Sequence, residues 1–122
     1  MAESFDRLLP QRFGMVVRLE ARPGLRPLLL DALHRYTDTL GAEPSTELFV
    51  ISLDPDEDDV VWLHEWFRGQ EGVNLHRGAP GFAEFMTEVS ELVAAPPGVM
   101  RFEPLRMHLS GQLLDAETAA EF

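Results

Sequence analysis

The sequence predicts an α+β domain of the ferredoxin-like kind: βαββαβ, with a four-stranded antiparallel sheet and two helices on one of its faces. Three observations lead there. Apolar residues recur in strand, helix, strand, strand, helix, strand order; Pro and Gly punctuate the joints; and the link between the second and third strands is short enough to demand an antiparallel hairpin. The chain has 122 residues, 45% of them hydrophobic. A chain of this size buries roughly two-thirds of its unfolded surface, enough for one core without disulfides or a structural metal. One domain over residues 13–109 is therefore expected, with an extension at 1–12 and a tail at 110–122.

Each element has its own signal. Phe13 to Glu20 is rich in Val and Leu and closes on Arg22-Pro23-Gly24, a strand followed by a turn. Leu25, Leu28, Leu29, Ala32, Leu33, Tyr36 and Leu40 then fall on one helical face, with Pro27 tolerated in the first turn and Gly41 as the stop. Thr46 to Leu53 and Val60 to Phe67 read as strands joined by the acidic run from Asp54 to Asp59. After a break at Gly78 and Pro80, Phe82, Phe85, Met86, Val89, Leu92 and Val93 take helical steps until Pro96-Pro97-Gly98. Met100 to Leu109 reads as the last strand, with Pro104 marking an edge or bulge. The first and third strands are apolar on both sides, Val61, Leu63 and Phe67 opposing Trp62, His64 and Trp66. Both sheet faces should then be covered, which predicts a homodimer packed sheet to sheet.

Composition excludes several functions. The net charge is −11, and lysine and cysteine are both missing. No basic face is available for nucleic acid or an anionic membrane, and Schiff-base, P-loop, thiolate-metal and thiol-nucleophile chemistry all lose their key residue. The start of the chain has no signal-peptide pattern, and no apolar run approaches the ~20 residues of a membrane span. A cytoplasmic location is expected.

Among residues that carry chemistry, Asp54, Asp56, Asp58, Val60 and Glu65 partly match a calcium loop. The match fails because Asp59 stands where glycine is needed and a strand follows instead of a helix. The run is expected to be a solvated hairpin tip. His34, His64, His76 and His108 show no metal-ligand spacing, so no metal is expected. His34 lies off its helix's apolar stripe. His64, between Trp62 and Trp66, is either a satisfied core residue or a pocket wall. His76 precedes the Gly78/Pro80 break, where elements part and a ligand or proton contact fits. Glu65 points with Val61, Leu63 and Phe67 and needs a partner, Arg18 or Arg101 from neighbouring strands being the obvious ones. It is either half of a structural ion pair or a functional carboxylate. Trp62, Trp66, Phe82, Phe85 and Phe102 are core, or the wall of a slot for a flat ring.

These residues form a pattern. Glu65-Trp66-Phe67, followed by His76-Arg77-Gly78-Ala79-Pro80-Gly81-Phe82-Ala83-Glu84-Phe85, resembles the antibiotic biosynthesis monooxygenase family of small dimeric proteins, and the likeness spans about Phe13 to His108. Ala79 and Gly81 depart from the usual Ser and His of the motif. The resemblance implies a pocket between sheet and helices for a flat phenol, anthrone or quinol, oxygenated by O₂ with no metal, flavin or other cofactor. On that basis His76 is the proton acceptor or hydrogen-bonding group, with Glu65 the second catalytic candidate; Trp62 and Trp66 are candidates for stacking on the ring, His64 is a secondary polar contact, and Phe82 and Phe85 complete the substrate-binding set. The haem-degrading branch of the family is not matched: Phe13 to Glu20 has no Asn, and no His follows His76 before His108. Two other functions compete, isomerisation of a small hydroxyketone and a non-catalytic dimeric module that binds an apolar ligand or assists another enzyme.

Overall fold

In the computed structural model, which describes residues 3–113, the alternation along the strands yields two sheet faces with different surroundings. The order is β1 (Phe5–Leu8), β2 (Arg12–Glu20), α1 (Arg26–Thr37), a 3₁₀ turn (Leu40–Ala42), β3 (Thr46–Leu53), β4 (Val60–Arg68), α2 (Gly69–Gly78), α3 (Pro80–Leu92), β5 (Gly98–Phe102) and β6 (Arg106–Leu109). The main sheet runs β3-β4-β2-β5, every pair antiparallel, in the α+β ferredoxin-like arrangement. Val17 and Leu19 of β2 and Val61 and Leu63 of β4 pack against Leu29 and Leu33 of α1 and Phe85 and Val89 of α3. This is the core.

Four features differ from the sequence reading, each for a local reason. First, α1 ends at Thr37 instead of Leu40. The hydroxyls of Thr37 and Thr39 bond the carbonyls of Leu33 and Tyr36, competing with the helical pattern, and the chain tightens into the 3₁₀ turn. Second, a third helix, α2, precedes the break. Its three glycines at positions 69, 72 and 78 mask the helical signal, although Gly72 packs closely, where a Cβ would lie 3.3 Å from Ser45. Ala79, extended as residues before proline tend to be, separates α2 from α3.

Third, the expected strand Met100–Leu109 is two strands. Pro104 lacks the N–H a ladder requires, and beyond it β6 leaves the main sheet. Fourth, β6 pairs with β1, Phe5 opposite Leu109, so the segment expected to be an extension contributes a strand. Leu113 is exposed. The rest of the expected tail, 114–122, lies outside the described residues. Among the described residues no helix is long and apolar enough to cross a membrane.

The face away from the helices carries cross-strand rows. Leu48, Trp66, Gly14 and Phe102 form one, and Val50, His64, Val16 and Met100 the next. The Phe102 ring lies over Gly14, where a Cβ would meet it at 2.2 Å. Val50 and Met100 are 40% and 64% exposed, leaving much of this face uncovered in a single chain.

Leu33 is fully buried at the centre of the α1 contact. Leu33→Ala removes three carbons from a site that α3 and the sheet hold on opposite sides, so it is expected to cost about 2–5 kcal/mol. That corresponds to a melting point roughly 8–20 °C lower by calorimetry. A shift under about 2 °C would show that the helix layer is loosely packed.

Candidate functional site

Glu65 sits in the middle of β4, opposite Met15 of β2 on one side and Phe49 of β3 on the other. Period-2 alternation turns all three toward the helices. The helix layer leaves a cavity of about 300 Å³ above them, lined almost wholly by apolar and aromatic side chains, among them Val17, Leu63, Phe82 and Phe85. This is within the size range of small-molecule sites. His76 enters from α2, because the buried face of that helix is Gly72, Val73 and His76. Tyr36 enters from α1, as the last member of its buried stripe.

The polar groups of the cavity converge. His76 Nε2 lies 3.7 Å from Glu65 Oε1, and its Nδ1 lies 2.8 Å from the Tyr36 hydroxyl and 3.7 Å from Glu43 Oε1. Among the described residues Glu65 and His76 are the two buried polar or charged residues, 7% and 5% exposed. Rings hold them in place: Phe67 and Phe82 lie 4.8 and 4.7 Å from the imidazole, and Phe85 stacks on Tyr36 at 4.4 Å.

Burial reverses the usual protonation of this pair. It pushes Glu65 up to about 7, and, with the nearby Arg77 charge, brings His76 down to about 4. Tyr36 is raised by burial and by the Glu43 and Glu65 carboxyls, so it keeps its proton. Burial also raises Glu43, whose Oε1 has no hydrogen-bond partner among the described residues. Near pH 7 the imidazole is therefore neutral. The Tyr36 hydroxyl and Nδ1 share a hydrogen bond, and the Nε2 side of the ring faces Glu65.

Of the residues singled out in the sequence, the cavity brings together Glu65, His76, Phe82 and Phe85. Trp62, His64 and Trp66 stand on the opposite sheet face and do not line it. Trp62 donates its indole N–H to Asp54 Oδ2, while Asp54 Oδ1 accepts the N–H groups of Asp56 and Glu57. The acidic run is thus a self-capped hairpin turn. Those bonds hold the Asp54 carboxyl below the usual range. His64 Nδ1 is buried without a partner among the described residues.

The partners expected for Glu65 need correction. Arg18 lies on the other face, with Glu20 and Glu57, and Arg101, though on the same row as Met15, makes no ion pair with Glu65. The neighbour of Glu65 is His76. His34 is exposed; His108 bonds Asp6 across the β1–β6 pair. Among the described residues no group of three His, Asp or Glu side chains could hold a metal ion. The sequence reading missed Tyr36, Glu43 and Arg77 as members of the site. Tyr36 had a detectable signal, being the one residue with a polar tip on an otherwise aliphatic stripe. Glu43, in a loop, had none.

The two shifted groups give stability opposite dependences on pH. Glu65 binds its proton more tightly folded than unfolded, so its burial carries no charge-linked cost at low pH and destabilises the fold as pH rises from 4.5 through about 7. His76 binds its proton less tightly folded, so the fold gains as pH rises from about 4 through 6.5. Glu65→Gln removes only the first effect. Relative to wild type, the variant should gain on the order of 3 kcal/mol between about pH 4 and pH 8, read from urea titrations at the two values. A difference independent of pH would mean that the Glu65 carboxyl is hydrated.

Known proteins share this architecture. Rv0793 from Mycobacterium tuberculosis superposes with a TM-score of 0.71 at 24% identity, covering 77% of this chain and 95% of its own. PA3566 from Pseudomonas aeruginosa gives 0.72 at 15%, covering 80% and 97%. A Caulobacter crescentus protein, itself provisionally described as an antibiotic biosynthesis monooxygenase, gives 0.74 at 15%, covering 80% and 93%. At these identities the likeness is one of fold. None of the curated proteins compared matches the chain. The profile of the antibiotic biosynthesis monooxygenase family matches residues 12–88, which contain β2 through most of α3 and every polar group of the cavity. The chain belongs to the antibiotic biosynthesis monooxygenase family.

Proposed function

We propose that the protein is an oxygenase requiring neither metal nor flavin, acting on a flat, electron-rich phenol, anthrone or quinol. The observation that carries this reading is the buried Glu65–His76 pair on the wall of an apolar, aromatic cavity. A carboxyl whose pKa lies near 7 is matched to removing a weakly acidic proton at neutral pH, whereas an imidazole held near 4 is a weak base and a good neutral donor. Glu65 is thus the proton acceptor for the substrate hydroxyl. His76, held by Tyr36 at Nδ1, donates Nε2–H to the oxyanion that forms. The anion is the reductant of O₂, and the cavity supplies orientation and exclusion of water. For an anthrone the balance closes with one O₂: one oxygen atom becomes the new carbonyl, and the other leaves as water with the two methylene hydrogens.

A second copy covers the open sheet face in this reading. Leu48, Trp66 and Phe102, with Val16, Val50 and Met100, form a continuous apolar surface there, and Trp62 and His64 belong to that interface instead of the cavity. With a chain of 13.7 kDa, light scattering should give roughly 27 kDa at micromolar concentration, twice the chain mass. Val16→Glu, at the centre of that face, should return a monomer. A wild-type protein that is already monomeric would overturn the interface.

Activity is tested by O₂ uptake against hydroquinones, naphthoquinols and anthrones, in the presence of chelator and with spontaneous oxidation subtracted. His76→Ala should lower kcat/KM by about 10²-fold or more with the melting point retained, since a positioned proton-transfer group contributes about that much. In wild type kcat/KM should rise through about pH 7 as Glu65 loses its proton, a limb absent in Glu65→Gln. Saturable turnover of a hydroxyketone without O₂ uptake would replace this reading with an isomerase using the same pair. Ligand binding without any turnover would replace it with a binding module.

A further inference from the structure

The ten arginines are the chain's whole supply of permanent positive charge, and eight of them have partners among the described residues. Arg12 and Arg68 meet Glu47, Arg18 meets Glu20 and Glu57, Arg35 meets Glu88, and Arg106 meets Asp6. Arg7, Arg22 and Arg26 bond backbone carbonyls. Arg77 and Arg101 have no hydrogen bond or ion pair among the described residues. In a chain with 21 acidic residues, two unpaired guanidinium groups are unexpected, and both line one place. They flank a small cavity of about 80 Å³ that shares Met15 and Arg77 with the main one.

The sheet register sets the distance. Glu65, Met15 and Arg101 occupy one cross-strand row on the helix-covered face, on β4, β2 and β5. At about 4.8 Å per strand, the backbone of Arg101 lies about 10 Å from that of Glu65, and Met15 is the floor between them. Arg77 follows His76 directly in α2, close enough for its charge to act on the imidazole. The Glu65–His76 pair thus faces the main cavity, and the two free guanidinium groups flank the small one beside it, with Met15 common to both.

We infer that the substrate carries an anionic group, a carboxylate above all, at the end opposite its reacting hydroxyl, and that Arg77 and Arg101 bind it at the cavity mouth. This deepens the oxygenase reading and rests on it. Guanidinium is the group best shaped for a carboxylate, offering paired N–H donors with a fixed charge. The rest of the surface repels anions, but at 0.15 M salt its reach is about 8 Å, so the local pair decides what enters. The substrate class narrows to fused-ring aromatic acids.

The test uses two unreactive probes of equal shape on the full chain, 6-hydroxy-2-naphthoate and the neutral 6-hydroxy-2-naphthamide, by titration calorimetry. The acid should bind at least about ten-fold tighter than the amide, and added salt should weaken the acid alone. Arg77→Ala with Arg101→Ala should abolish the preference while the amide's Kd stays within about two-fold, which also shows that the cavity is intact. Arg101→Glu alone should turn the preference toward the amide. Equal binding of the two probes by wild type would overturn the anion assignment and leave the aromatic site standing. Binding of neither would overturn both.

Discussion

A carboxyl in the middle of a strand whose other inward residues are Val61, Leu63 and Phe67 is the constraint around which this structure is organised. Strand periodicity gives Glu65 no route to water, because slipping the register by one residue would bury Trp62, His64 and Trp66 and expose the whole aliphatic set. The fold accommodates the carboxyl with a cavity instead of a salt bridge. The cavity lies where Ala79, extended ahead of Pro80, redirects the chain between α2 and α3. The break that opens space over the sheet is also what leaves His76 at the end of α2, facing down.

Much of this was legible in the residues, and the parts that were not share a cause. The strands, the hairpin, the Gly78/Pro80 break and the inward direction of Glu65 follow from period 2, period 3.6 and turn chemistry, which act over a few residues. The third helix was hidden because glycine lowers helix propensity wherever it stands, and only contact with Ser45 explains why Gly72 is tolerated. The two tryptophans misled for a different reason. Alternation shows that Trp62 and Trp66 share a face, but which face the helices cover depends on the handedness of packing, and that is a property of the whole chain. Arg18 fails as a partner of Glu65 by the same parity, since it stands directly opposite Trp62.

The site also shows how one environment moves two ionisable groups past each other. Burial disfavours charge on both, so the acid titrates higher and the base lower, until near neutral pH the carboxyl is the better proton acceptor and the histidine is a neutral donor. Tyr36 fixes the orientation of the ring through its hydrogen bond at Nδ1, which leaves Nε2 on the Glu65 side. Protonating the histidine would put a cation among Phe67, Phe82 and Tyr36 with no hydrogen bond to either carboxyl, both lying 3.7 Å away.

That assignment changes what the surrounding charge means. A base poised near 7 inside an acidic protein would be driven still higher if the field of the other carboxylates reached it unopposed, and the proton would then stay on Glu65 at working pH. Arg77, which follows His76 in α2, and Arg101, on the row of Met15, are counter-charges that flank the small cavity, and neither is consumed by an ion pair among the described residues. A direct arginine contact would have lowered the carboxyl's pKa into the ordinary range and removed its value as an acceptor near pH 7. Guanidinium groups that make no contact with the carboxyl leave its raised pKa in place, and in the proposed reading they stay free for the anionic end of a substrate.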